Sequence, residues 1–332
     1  MKFFWCVAIV ALSCSNPIRK LEKETILKRM AALKTFSGVY SETGIAGKAL
    51  DTRIAVRTAP LTILAKSVSP GPSEGSVMSY ADGQLAMYFP KSAFGIRYRH
   101  VPELSGNEQV RWLELEYDWH IAHYDIRQLE DSHIAGFDAK GILYTPNAAF
   151  AASPFSHEWR AAVEPEYAFA LQNTMLRDGK EKYRITFKEV EFQKSLTDND
   201  LAFKFPAGTT IAEYDLNSKN YSLKAANATA NFRLTPPKDA ADFPLKKIIR
   251  VQGIIPAFTL YYENLPYQTY YTQVKDYGLN LIPERGLVIE ARRKYRVNFA
   301  GAFRSLYFLE KGVYHTVVSS RPLSEVLEWL ER

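Results

Sequence analysis

The sequence predicts an α+β fold that is mainly antiparallel β, and three observations support this. Aromatic residues, which favour strands, are abundant: the 332-residue chain has 20 Tyr, 19 Phe and 5 Trp. Alternating apolar runs are separated by turn pairs such as Asp82-Gly83 and Asp178-Gly179, which are typical of β-hairpins. Amphipathic helical spacing marks the two ends, at residues 20–36 and after Pro322. We therefore expect a curved sheet with a helix across its open side.

The composition is that of an ordered globular protein. Hydrophobic residues make up 47% and charged residues 23% of the chain, which excludes a disordered or fibrous class. The net charge is +6 and the pI is about 9.0. This mild excess of positive charge suits acidic lipid headgroups as well as nucleic acid. The alternative is that the charge only keeps the protein soluble.

The N-terminus has the pattern of an export signal. Lys2 precedes an apolar run, residues 3–12, that is too short to span a bilayer. The run ends in Ala11-Leu12-Ser13-Cys14 and resembles a bacterial lipobox, although such motifs usually have Leu at the position of Ala11. We expect residues 1–14 to be a signal peptide and Cys14 to be lipidated, which anchors the protein to a membrane in the bacterial periplasm. An ordinary signal peptide or an uncleaved anchor remains an alternative, and export disfavours a nucleic-acid partner.

Most of the chain between Val39 and Ala230 reads as strands. The clearest prediction is a strand at residues 111–123, because apolar and polar residues alternate there. A short strand at Leu201–Phe205 and a last hairpin, residues 211–216 with 221–224, complete a predicted meander. Further strands are predicted at residues 53–56, 60–68, 76–80, 84–89, 163–176 and 182–192.

A change of composition predicts two domains. Residues 234–243 contain Pro236, Pro237 and several charged residues, which is typical of a linker. We expect a first domain at residues 18–233 and a small α+β domain at residues 244–332. The second domain reads as several strands followed by a helix that begins near Pro322.

The stretch at residues 183–215 carries a resemblance to a known family. A strand is followed by a turn and a Pro-x-Gly segment, in a pattern made by Leu196, Asp198, Phe203, Phe205, Pro206, Gly208 and Ile211. This resembles the closing strands of the LolA/LolB-like periplasmic lipoprotein carriers, and the C-terminal region resembles the two-domain RseB/MucB-like branch. The resemblance implies a half-barrel with a helical lid that binds acyl chains of lipids or lipoproteins, as carrier, receptor or sensor. It also implies a possible envelope protein partner, no enzymatic activity and no cofactor.

The same resemblance suggests where ligands bind. The lining of the expected cavity is assigned to apolar residues of the predicted strands, and an interior arginine is expected at Arg53 or Arg57, in the early strands. The alternative is that the interior is only a packed core. The assigned lining residues are Leu113, Leu115, Tyr117, Trp119, Ile121, Phe187, Phe203 and Phe205.

Other constellations support different functions less well. Gly71-x-Ser73-x-Gly75 matches the nucleophile elbow of hydrolases, but it lacks the strand–helix context that this motif requires. His120 and His123 would point to opposite faces of a strand and have no third ligand, so neither a metal site nor a catalytic residue is predicted. An envelope hydrolase that uses Ser73 or these histidines, and a scaffold with a filled core, remain alternatives. A basic patch, Arg292, Arg293, Lys294 and Arg296, could meet acidic headgroups or an acidic partner.

Overall fold

The protein is described here by a computed structural model. It covers residues 16–43, 49–70, 74–102, 106–237, 240–251, 257–276, 278, 281–283, 286–300 and 303–332. Cys14 and Ser73 lie outside these described residues. No helix among the residues described is both long and apolar enough to cross a membrane.

The first sheet runs through residues 35–215 and has 13 strands in the part of the chain that the structure describes. Its neighbours are antiparallel except at one end, where the last strand pairs parallel with Phe94–Arg99. The strands are β1 (Thr35–Thr43), β2 (Ala49–Thr58), β3 (Leu61–Ser67), β4 (Val77–Ala81), β5 (Gln84–Phe89), β6 (Phe94–Arg99), β7 (Tyr124–Gln128), β8 (Ser132–Ile134), β9 (Phe137–Pro146), β10 (Glu158–Glu164), β11 (Phe169–Arg177), β12 (Lys180–Phe192) and β13 (Thr210–Asp215).

Two helices pack together beside this sheet. Helix α1 (Asn16–Ala32) confirms the predicted N-terminal helix, and α2 (Gly106–His123) contacts it. Ile26 and Met30 are buried because their i, i+4 spacing places them on one face of α1. Lys23 makes an ion pair with Asp118 of α2, with 2.8 Å between Nζ and Oδ1. The paired helices thus cover part of the sheet's interior.

The predicted strand at residues 111–123 is wrong, because this segment is helical. The residues that are most buried are Trp112, Leu113, Glu116 and Tyr117, which is the i, i+1, i+4, i+5 spacing of a helix face. The alternating pattern misleads because Glu116 counts as polar in the sequence but is buried in the structure. His120 and His123 consequently share one face of α2 instead of pointing apart.

Two other local predictions also fail. The predicted strand at Leu201–Phe205 is not formed: Leu201 ends a short helix, α3 (Asp198–Leu201), and residues 202–206 belong to no strand. The predicted strand at residues 221–224 instead leads into helix α4 (Leu223–Thr229). Ser222 caps the start of this helix, because its hydroxyl accepts a hydrogen bond from the amide of Ala225. β13 therefore has no hairpin partner there and pairs with β6 instead.

The second sheet has seven strands within the described residues, and all its pairs are antiparallel. Its order is β14-β15-β16-β20-β19-β18-β17. A closing helix, α5 (Leu323–Glu331), confirms the predicted C-terminal helix. The strands are β14 (Leu245–Arg250), β15 (Ala257–Asn264), β16 (Tyr267–Lys275), β17 (Leu287–Glu290), β18 (Lys294–Ala300), β19 (Phe303–Glu310) and β20 (Val313–Ser319).

The first sheet bends around the second. On one face of the second sheet, here called the inner face, Tyr80 contacts Phe303, and the hydroxyl of Tyr98 lies 2.6 Å from that of Thr272. On the opposite, outer face, Phe299 contacts Tyr183 of β12. Since β4 and β6 of the first sheet reach one face of the second sheet and β12 reaches the other, the first sheet must be strongly curved.

The predicted fold class, α+β and mainly antiparallel β, is confirmed by these two sheets with few helices. The buried apolar side chains of both sheets form one contiguous hydrophobic core. The division into domains at residues 234–243 stays a prediction, and the shared core shows that the two sheets are not packed independently.

Candidate functional site

A cavity of about 80 Å³ lies where the first sheet, α2, the second sheet and α5 meet. Its walls are mostly aromatic and aliphatic, which is the usual character of a site for an apolar ligand. The first sheet and its loops contribute Tyr124, Tyr144, Phe155, His157, Trp159, Asn173, Tyr183 and Ile185; α2 contributes Glu116, Trp119 and His120; and the C-terminal region contributes Ile289, Phe299, Arg304, Pro322, Leu323, Ser324 and Leu327.

A buried ion pair stands in the wall of this cavity. Arg304 of β19 reaches Glu116 of α2, with Nη2 at 3.2 Å from Oε2 and 3.4 Å from Oε1. The Arg304 and Glu116 side chains are only 2% and 1% exposed. Buried charges of this kind are rare unless they are paired, because desolvation of each charge is costly. The pair ties the second sheet to α2 next to the cavity.

Neutral hydrogen bonds join the same two parts of the molecule. The indole of Trp112 donates to the carbonyl of Ser320 at 3.0 Å. The side-chain amide of Gln268 donates to the carbonyl of Pro102, also at 3.0 Å. These bonds join α2 and the segment before it to the C-terminal region by directional contacts as well as by packing.

His120 contributes an uncharged ring to the cavity wall. Its Nδ1 lies 2.8 Å from the carbonyl oxygen of Glu116, so Nδ1 carries the proton that it donates. The ring packs near Trp119, Tyr124 and Tyr144. Burial among these rings lowers the pKa of His120 to about 4, and the nearby Arg304 acts in the same direction. The cavity therefore keeps an apolar wall at neutral pH.

This shift predicts how stability depends on pH. Because the pKa of His120 is about 4 in the folded state and 6.5 without the fold, the unfolded chain binds the proton first as the pH falls. The contribution of His120 to the free energy of unfolding is therefore complete above pH 6.5 and is lost progressively between pH 6.5 and pH 4. Urea unfolding at several pH values should show the free energy of unfolding falling across this window.

The variant His120→Gln should have a shallower pH dependence than the wild type over the same window. The matched control is His133→Gln, at a side chain that is 66% exposed, and it should keep the wild-type slope. Equal slopes for His120→Gln and the wild type would contradict the lowered pKa of His120 in the folded state.

Asn173 places a polar atom on the otherwise apolar wall formed by β11. The residue is 6% exposed, and its side-chain oxygen has no hydrogen-bond partner within the part of the chain that the structure describes. A buried acceptor without a donor costs free energy. This atom is available to a donor group that enters the cavity, whether from water or from a ligand.

Replacing Asn173 by leucine should raise the free energy of unfolding of the ligand-free protein by about 1 kcal/mol, because an unsatisfied acceptor is removed. Asn147→Leu is the matched control: its amide donates to the carbonyl of Ala122 and accepts from the amide of Phe150, so that variant should lose stability. Urea titration distinguishes the two. A clear loss of stability in Asn173→Leu would contradict the assignment of the Asn173 side-chain oxygen as an unsatisfied acceptor.

Of the lining residues predicted from the sequence, Trp119 lies on the cavity wall. Leu113 and Tyr117 are buried in the core, while Leu115 and Ile121 are partly buried against it. Phe187 is also buried, but it packs against Phe36, Tyr40 and Phe169. These five residues are not among those that line the cavity.

Phe203 and Phe205 lie on the other side of the first sheet. Both rings pack against Tyr88, whose neighbours Met87 and Phe89 along β5 point into the core. A Cβ atom on Gly95 would lie 2.3 Å from the ring of Phe205, so this glycine makes room for it. The two phenylalanines cover the outside of the sheet and do not reach the cavity.

The expected interior arginines are also placed elsewhere. Arg53 is exposed and Arg57 is partly exposed, because they alternate with the buried Ile54 and Val56 along β2. Arg57 instead makes an ion pair with Asp198, at 2.9 Å. The arginine on the cavity wall is Arg304. Nothing in the sequence pairs it with Glu116, since the two residues are 188 positions apart.

Three of the four residues of the predicted basic patch have partners in the structure. Arg293 donates to Glu310 at 3.0 Å and to Glu331 at 3.3 Å. Lys294 pairs with Glu290, and Arg296 donates to the carbonyl of Gly286. Arg292 is exposed. Much of the patch's charge is therefore neutralised within the fold.

The geometry of the described residues does not support the alternative metal site or the histidine-based hydrolase site. His120 and His123 share a helix face, and each Nδ1 faces the carbonyl oxygen four residues earlier in α2. Among the residues that the structure covers, no group of three or more His, Cys, Asp or Glu could hold a metal ion. Ser73 falls outside the described ranges.

No protein-family model matches the chain, and no curated protein matches it. Similar solved structures include the MucA/MucB complex of Pseudomonas aeruginosa, whose matched chain is 12% identical, with 93% of this chain and 97% of that chain covered and a TM-score of 0.44. Lipoprotein LppX of Mycobacterium tuberculosis is 10% identical, covers 55% of this chain and 99% of its own, and has a TM-score of 0.37. A LolA-superfamily protein of Nitrosomonas europaea is 11% identical, with coverages of 55% and 97% and a TM-score of 0.24.

The LolA-like and MucB-like families that the sequence resembles both recur among these matches. At 10–12% identity and these TM-scores they are similarities alone. What this chain binds has to follow from its own residues.

Proposed function

We propose that this protein binds an apolar chain, such as the acyl chain of a lipid or lipoprotein, in the interior between its two sheets. The observation that carries the proposal is the mostly aromatic cavity at the junction of the first sheet, α2 and α5. An acyl chain gains roughly 0.8 kcal/mol for each methylene that it buries. Such a ligand needs apolar walls and few polar partners, which is what this cavity provides.

The small cavity requires that binding of an acyl chain be coupled to a widening of the interior. Its volume of about 80 Å³ holds a few water molecules, whereas ligand pockets usually measure about 300–1,000 Å³. An acyl chain therefore fits only if the second sheet and α5 move away from α2. The contacts that would separate are the Glu116–Arg304 pair and the Trp112–Ser320 hydrogen bond. Burial of ten methylenes, roughly 8 kcal/mol, is comparable to the cost of separating such contacts.

The cellular role is part of the same proposal. A lipidated Cys14 would hold the protein at a bacterial envelope membrane and would favour a receptor or sensor over a soluble carrier. The coupling of ligand binding to opening also suits a sensor, because the ligand would change the relative positions of two large surfaces. A protein partner that distinguishes the closed from the open form completes this role.

A second candidate function is favoured by the small size of the cavity. If the interior never opens, the protein is an envelope scaffold in which the second sheet fills the space enclosed by the first sheet. The contiguous core formed by both sheets is what such a scaffold needs. The two candidates differ in a measurable property, the uptake of an apolar ligand.

The test is a titration of the full chain with a fluorescent fatty acid. Binding by the wild type that is weakened about tenfold or more in Trp119→Glu would support the acyl-chain function, because a buried carboxylate is costly in this wall. Phe203→Glu is the matched control, an aromatic replaced on the outside of the sheet, and should bind as the wild type does. Absence of uptake by the wild type would favour the scaffold.

A further inference from the structure

A second, larger recess lies on the outer face of the second sheet, apart from the cavity already described. It measures about 790 Å³. One wall is formed by residues 223–237, which include α4, and the other by the β17–β18 and β19–β20 turns. The first wall is attached to the sheet at Thr235, which exchanges two hydrogen bonds with the side chain of Gln273. We call this recess the outer groove.

The floor of the outer groove is formed by packed aromatic rings. Phe308 stacks on His315 with ring centroids 4.4 Å apart and an angle of 2° between the rings. The hydroxyl of Tyr271 lies 2.7 Å from Nδ1 of His315. These three rings are at most 3% exposed, so they form a packed base, and the accessible apolar surface of the groove is on its first wall, at Leu223 and Phe232.

The rim of the groove carries positive charge that the fold does not neutralise. Arg233, Arg292 and Lys311 line it and are exposed. None of these three side chains makes an ion pair with any residue that the structure describes. Arg293, by contrast, is already satisfied by Glu310 and Glu331. The free cations thus stand on both walls, from Arg233 on one to Arg292 and Lys311 on the other.

We propose that the outer groove binds an extended acidic segment of a partner protein. Its carboxylates would lie between the cations of the two walls, and its apolar side chains would contact Leu223 and Phe232. The recessed shape favours a peptide over a lipid surface, because a flat bilayer reaches protruding cations and not a floor between two walls. This proposal does not depend on ligand binding in the interior cavity.

The test measures binding of the full chain to a fluorescein-labelled peptide of alternating Glu and Leu by fluorescence anisotropy. The groove variant is Arg233→Glu/Arg292→Glu/Lys311→Glu. The control variant, Arg160→Glu/Lys204→Glu/Lys246→Glu, makes the same change of net charge at exposed sites outside the groove. All six positions are on the surface, so both variants should keep the wild-type thermal midpoint.

The proposal expects the groove variant to bind the peptide about tenfold or more weakly, and the control variant to stay within about threefold of the wild type. Affinity should fall as salt is raised, because exposed charges are screened. Equal losses in the two variants, no loss in the groove variant, or no binding by the wild type would each overturn it. So would groove-dependent binding to vesicles of anionic phospholipid without binding to the peptide.

Discussion

Replacing Arg304 by methionine should lower the free energy of unfolding by about 3–5 kcal/mol. The reason is that Glu116, whose side chain is 1% exposed, would lose its cationic partner while remaining buried between α2 and the second sheet. Methionine keeps most of the volume of the arginine stem, so the loss reports the charge more than a cavity. Urea unfolding at neutral pH measures it.

The double variant Glu116→Leu/Arg304→Met provides the control. Removing both charges together leaves no buried ion, and its stability should return to within about 1–2 kcal/mol of the wild type or exceed it. A single variant that is as stable as the wild type would mean that the pair contributes nothing to closure. A double variant as unstable as the single one would show that packing, and not charge, is responsible.

Replacing Trp329 by alanine should cost about 3–5 kcal/mol of stability. Trp329 is 1% exposed, and its ring stacks on Phe243 with centroids 4.3 Å apart. It also contacts Tyr262 edge-on at 4.8 Å. The substitution would leave a cavity between α5 and the outer face of the second sheet, so α5 should detach more easily from that face.

The matched control for this prediction is Leu309→Ala, a large apolar side chain that is 48% exposed. It should change the free energy of unfolding by less than about 0.5 kcal/mol. If Trp329→Ala behaved in the same way, α5 would not be held by this aromatic contact. Hydrogen exchange of the α5 amides would show whether that helix opens more readily in the variant.

The sequence predicted the β-rich class and both terminal helices because these depend on local patterns. The hairpin turns at Asp82-Gly83 and Asp178-Gly179 connect neighbouring antiparallel strands as expected, and each of the four residues has a positive φ. Helix α2 was misread for a specific physical reason. The buried Glu116 interrupted the apparent helical period, and its burial is explained only by an arginine that lies far away in the chain.

The parallel pairing of β13 with β6 could not be predicted from the sequence for a similar reason. Residues 196–209 cross the outside of the first sheet and return the chain to its far edge, where Phe203 and Phe205 cover Tyr88. Alternating aromatics in such a segment resemble a strand that lines an interior. Only the position of the whole sheet shows which side they cover.

The residues of the candidate site were even harder to predict from local sequence patterns. Trp119 was assigned to the cavity lining as part of the apolar face of a strand that is in fact helix α2, and Asn173 and Arg304 gave no local signal. Both are polar residues in strands, and their burial results from the second sheet lying within the curve of the first. Sites built from contacts between distant parts of a chain are therefore the least predictable from local pattern.

If the interior of this protein takes up an apolar chain, native mass spectrometry of the full chain, purified gently from a bacterial envelope, should detect that ligand. We expect co-purifying masses of acyl-chain compounds that are lost in Trp119→Glu and retained in Phe203→Glu. A ligand-free mass for the wild type, together with no uptake of an added fatty acid, would contradict it.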